Sequence, residues 1–104
     1  MDEVFSELSN KIRHELTLES NAKNKEELIF HIRARVEELL QNEPGLLFSY
    51  LYRLDVSEKR VRDTMNQSTH DKIDALSQLI YERQLLRVET KKRLIQKPIK
   101  GWEW

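Results

Sequence analysis

Apolar residues recur three and four positions apart along almost the whole chain, the spacing of one helix face. No stretch alternates apolar and polar residues for the length of a strand. Val4, Phe5, Leu8, Ile12 and Leu16 form the first stripe and predict a helix from about Asp2 to Glu19. The polar run 20–24 breaks it. Asn24 followed by Glu27 has the form of a capping box. A second helix then runs to about Gln41, burying Leu28, Ile29, Ile32, Val36, Leu39 and Leu40. Asn42-Glu43-Pro44-Gly45 ends it, since Pro cannot continue the ladder and Gly accepts a turn.

The segment Leu46 to Leu54 is the most apolar of the chain. Leu47, Phe48, Leu51 and Leu54 mark one face, and Leu46, Tyr50 and Tyr52 cover much of the other. A helix apolar nearly all round is central or is covered by a partner. Asp55 and Glu58 suggest a new capping box and a fourth helix to about Asn66, burying Val56, Val61 and Met65. Ser68 or Thr69 caps a last helix from about His70 to Ile95. Its stripe is Ile73, Leu76, Leu79, Ile80, Leu86 and Leu94, interrupted by Arg83. At helical rise that element is about 39 Å long. A compact domain of this size has a radius of gyration near 13 Å. Its far end is therefore expected to protrude or to be covered by another copy.

The fold class expected is all-α: a small bundle of four to five helices with a long C-terminal helix and a short irregular basic tail. One domain over 1–96 and a tail over 97–104 account for the 104 residues. Folding should bury about two-thirds of the chain's surface, enough for an independent unit. The absence of Cys excludes a disulfide scaffold, a Cys-ligated metal site and a thiol enzyme. Two Gly, at 45 and 101, leave no Gly-rich phosphate loop. No apolar run is long enough for a membrane span. The start Met-Asp-Glu-Val is acidic where a signal peptide is basic and then apolar, so a cytoplasmic location is expected.

Charge is balanced overall, with 18 basic and 18 acidic residues, but it is segregated. Residues 1–82 carry a net −5 and residues 83–104 a net +5. Arg87, Lys91, Lys92, Arg93, Lys97 and Lys100 lead into a tail that holds both tryptophans, Trp102 and Trp104. These eight residues are the candidate partner-binding set, because Trp and Arg are the types richest in interface hot spots. The plainer account is that basic residues answer the helix dipole while the tail packs on the acidic body.

Chemistry is thin. His14, His31 and His70 form no metal-ligand spacing; Glu27 and His31 share a helix face, where a half-buried His31 paired to a carboxylate is expected. His70 and Asp71 are adjacent and do not face each other on a helix. Lys59, Arg60 and Arg62 in the fourth helix are offset by Asp55, Glu58 and Asp63, unlike a DNA-reading helix. Phe48, Tyr50, Tyr52 and Tyr81 are candidates for lining an apolar pocket.

The residues resemble no characterised family. They lead first to a non-catalytic protein–protein interaction or assembly module, a homodimer or a subunit, with no cofactor and no metal. The second reading is a nucleic-acid or anionic-surface binder acting through the basic helix end. A small ligand carrier or enzyme in the bundle is the third.

Overall fold

The computed structural model describes residues 3–19 and 21–96, with side chains through Arg93. The described residues form five helices and no strand: α1 (Glu3–Leu16), α2 (Lys25–Asn42), α3 (Pro44–Arg53), α4 (Glu58–Thr64) and α5 (Thr69–Gln96). This is an all-α bundle. At 28 residues α5 is its spine, with α1, α2 and α4 packed along it and α3 packed on α2. The Lys25 ammonium lies 5.2 Å from the Tyr81 ring centroid, and Arg33 pairs with Asp74. These two contacts make α2 antiparallel to α5. The body is elongated, 48 × 30 × 19 Å, with a radius of gyration of 15.2 Å. The expected length of the last helix produces that shape.

Each helix contributes a sealed stripe to one core. Leu8, Ile12 and Leu16 come from α1, Leu28, Ile32, Val36 and Leu39 from α2, and Leu76 and Ile80 from α5. Asn24 caps α2 as expected, accepting from the Glu27 amide at 2.9 Å, while the Glu27 carboxylate accepts from the Lys23 amide. Ser68 accepts from the Asp71 amide at the start of α5.

Several expectations are corrected. Pro44 starts α3 rather than closing a loop: its missing N–H costs nothing in a first turn. Gly45 therefore sits inside a helix, and the break is the single residue Glu43. Ser57, not Asp55, caps α4, accepting from the Arg60 amide. Asp55 instead takes a positive φ of 61°. Phe48 is turned outward while Tyr50 is buried, so the inner face of α3 is Leu47, Tyr50 and Leu51. On α5 Leu86 is exposed, and the buried line passes through Ser77, Tyr81, Gln84 and Val88.

Two helices end in the same way without glycine. At the end of α1 the Leu18 amide bonds the Arg13 carbonyl, with Thr17 at φ 53°. After α3 the Val56 amide bonds the Leu51 carbonyl, with Asp55 at φ 61°. Both are Schellman closures, which usually place Gly in the left-handed position. An arginine from another helix holds each one. Arg35 donates to the Leu16 carbonyl at 2.9 Å and to the Thr17 hydroxyl at 2.9 Å. Arg83 donates to the Asp55 carboxylate at 2.6 Å.

Candidate protein-docking surface

The surface begins with the composition of α3. Ten residues carry apolar side chains on more than one face, and only one face can enter the core. Leu47, Tyr50 and Leu51 do so against α2. Phe48 and Tyr52, one turn apart, are left outside, 41% and 86% exposed. The Schellman turn at Asp55 then sends the chain back so that α4 lies alongside. Val56, Val61 and Met65 face Phe48, Leu51 and Tyr52 across a groove of about 600 Å³. Glu58, Arg62 and Asn66 form its polar rim, with Arg62 3.7 Å from Glu58.

A smaller groove of about 380 Å³ lies on the opposite side of α4, between the Asp55–Arg60 turn and Leu79, Arg83 and Leu86 of α5. The two grooves share Val56 and flank the start of α4. Arg83 is committed to Asp55 there, and the guanidinium holds the Asp55 carboxyl below the ordinary carboxylate range, with a smaller pull from Arg87. Phe30, 65% exposed on α2, is placed in neither groove.

The basic residues singled out in the sequence divide into three groups. Arg87 is half-buried and donates at 3.4 Å to the Leu54 carbonyl and to the Gln84 side-chain oxygen. Lys92 reaches Glu3 at 3.1 Å and Glu7 at 3.5 Å, which holds its pKa above the ordinary lysine value. Both work inside the chain. Lys91 and Arg93 are exposed. Lys97, Lys100, Trp102 and Trp104 lie outside the described residues.

The candidate chemistry also separates. Tyr50 and Tyr81 are buried, so only Phe48 and Tyr52 of the four aromatics share a groove. His31 is half-buried, but its Nδ1 has no hydrogen-bond partner, and its ring meets Phe30 edge-on at 6.0 Å. The expected carboxylate partner of His31 is therefore not found at that nitrogen; Glu27 is used in the α2 cap. His70 lies 3.4 Å from Asp74 on an exposed face. Among the described residues no three His, Asp or Glu side chains gather as metal ligands. No helix of the described residues is long and apolar enough to cross a membrane.

No protein-family model, curated protein or solved structure matches the chain. The sequence marked Leu46 to Leu54 as over-apolar but did not place Val61 and Met65 opposite Phe48 and Tyr52. The signal was present as the i,i+4 aromatic pair Phe48 and Tyr52, which helical spacing sets beside Leu51 and off the Leu47 face.

Proposed function

We propose that the protein is a non-catalytic interaction and assembly module whose docking face is the groove between α3 and α4. One observation carries this reading: Tyr52 is 86% exposed beside a half-exposed Phe48, over an apolar floor of Leu51, Val56, Val61 and Met65. A contiguous apolar surface with a polar rim is the form of a protein-binding patch. Tyr is among the residues that carry most binding energy when desolvated, and Met adapts to irregular surfaces. Among the described residues of the basic set, Arg87 and Lys92 are engaged within the chain, which weighs against the nucleic-acid reading, while Lys91 and Arg93 are exposed.

The test compares the wild-type chain with a Phe48→Ser, Tyr52→Ser double variant, which leaves the sealed core intact. The expected result is at least about tenfold weaker association by the variant. Association is measured with the chain itself by sedimentation, and with any captured protein after reconstitution from purified components. Equal association by both chains, or none by either, overturns the reading.

A further inference from the structure

Residues 58–64 face water on most sides. Glu58, Lys59, Arg60, Arg62 and Asp63 are exposed, and α4 buries only Val61 and Thr64. Neither is fully sealed: they keep 8% and 6% of their surface, where Leu8, Ile12 and Leu16 of α1 keep none. Open grooves flank the helix on both sides, one against α3 and one against α5. Among the described residues, no hydrogen bond or ion pair joins residues 58–64 to another helix. Arg62 pairs with Glu58 inside α4, and the Arg60 amide bonds Ser57 just before it.

The chain is held on either side of this segment. Before it, the Leu54 carbonyl accepts from Gln84 and Arg87, and the Asp55 carboxylate accepts from Arg83. After it, Ser68 caps α5 through the Asp71 amide, and the Lys72 amide bonds the Ser68 carbonyl at 2.8 Å. What lies between is local. The Met65, Asn66 and Gln67 amides bond back only to Val61, Asp63 and Thr64. A seven-residue helix does not hold itself in water without packing. The part of a fold with the fewest buried apolar contacts is the part that opens most readily.

We infer that α4 is a lid: residues 57–67 leave the bundle as one unit, hinged at Val56–Ser57 and at Gln67–Ser68, while α1, α2, α3 and α5 stay folded. In the closed position Val61 and Met65 form a wall of the α3–α4 groove. Opening removes that wall and joins the two grooves, which meet at Val56, into one trough between α3 and α5. Under the interaction-module reading, opening switches the docking face off. The motion itself does not depend on that reading.

The chain has no Cys, so one introduced thiol reports on one place. Thr64→Cys puts it on α4, and Ser77→Cys puts it on the sealed face of α5. Lys59→Cys is the exposed control on the same helix. Each is labelled with excess thiol reagent in native buffer and then in urea below the unfolding transition. The Thr64→Cys thiol is expected to react at least about 100-fold faster than the Ser77→Cys thiol, yet slower than that of Lys59→Cys. Its rate should hardly change with urea, because a local opening exposes little surface, while the Ser77→Cys rate should climb steeply. Amide exchange of the wild-type chain gives the same reading without a substitution: amides of 61–67 should exchange at least about 100-fold faster than those at the centres of α1, α2 and α5. A steep urea dependence at Thr64→Cys, matching Ser77→Cys, means that α4 leaves only when the whole chain unfolds, and overturns the inference. A rate equal to that of Lys59→Cys means that no closed position exists, and overturns it as well. Neither outcome involves association, so the Phe48→Ser, Tyr52→Ser comparison stands or fails separately.

Discussion

Gln84 donates a 2.6 Å hydrogen bond to the carbonyl oxygen of Leu54, and both residues are sealed from water. Leu54 closes α3, where carbonyls lack partners in the helix itself. Gln84 supplies the bond from α5, and Arg87 adds a second, longer one to the same oxygen. The buried polar residue in the middle of α5 thereby fixes the turn from which α4 departs, and with it one wall of the groove.

Gln84→Leu keeps the volume and removes the donor. The carbonyl then relies on the longer Arg87 contact in a dry environment. The expected loss is about 1–3 kcal/mol of unfolding free energy, the range for a buried polar group losing its partner. Urea unfolding measures it. An unchanged midpoint means that Arg87 alone satisfies the oxygen.

Arg35 performs the matching task at the end of α1, with Nε on the Leu16 carbonyl and a terminal nitrogen on the Thr17 hydroxyl. A branched residue at φ 53° is strained, and the hydroxyl bond offsets that strain. Thr17→Val keeps the branch and loses the bond, so it is expected to destabilise by about 1 kcal/mol. Thr17→Gly loses the bond but relieves the backbone, by about 1–2 kcal/mol, and is expected to be nearly neutral. Thermal unfolding of the pair should rank Gly above Val. The reverse order removes backbone strain from the account.

Asp55 gives a pH signature. Arg83, by hydrogen bond and then by Coulomb attraction, holds its carboxyl below the ordinary range in the folded chain. A depressed folded value contributes stability that is present above the unfolded pKa of about 3.9 and is lost as pH falls through the folded value. Asp55→Asn tolerates the left-handed backbone and removes only the charge. It should be less stable than wild type at pH 7, with the gap closing in acid and narrowing in high salt. Urea midpoints across pH check this. A gap that persists in acid assigns the effect to something other than the ion pair.

These closures also explain what the sequence could and could not reveal. Helix type was legible because Leu8, Ile12, Leu28, Ile32, Val36, Leu76 and Ile80 follow the 3.6-residue period, and burial enforces that period. The caps at Asn24 and Ser68 were legible because capping is local. The closures at Thr17 and Asp55 were hidden. Each replaces the expected Gly with a residue stabilised by an arginine 18 or 28 positions away. Gln84 was hidden for the same reason, since its bond to the Leu54 carbonyl, 30 positions away, together with a longer one from Arg87, makes a polar residue acceptable in the core. The α3–α4 groove depends on that turn, so its Phe48 and Tyr52 were visible as an apolar excess while their partners across the groove were not.

Tyr50 and Tyr52, two residues apart on α3, separate stability from association. Tyr50 is buried, with the Arg53 guanidinium 5.6 Å from its ring centroid. Tyr50→Ala leaves a cavity beneath α3 and is expected to cost about 3–5 kcal/mol, as large aromatic truncations in a core do. Tyr52 projects into solvent, so Tyr52→Ser should change stability by no more than about 0.5 kcal/mol. The same substitution removes the most exposed aromatic of the groove, and association with its occupant should weaken by a factor of about ten or more. Chemical unfolding and sedimentation on the same two samples give both numbers. If Tyr52→Ser lowers stability as much as association, the tyrosine belongs to the packing of the fold and the groove loses its strongest contact.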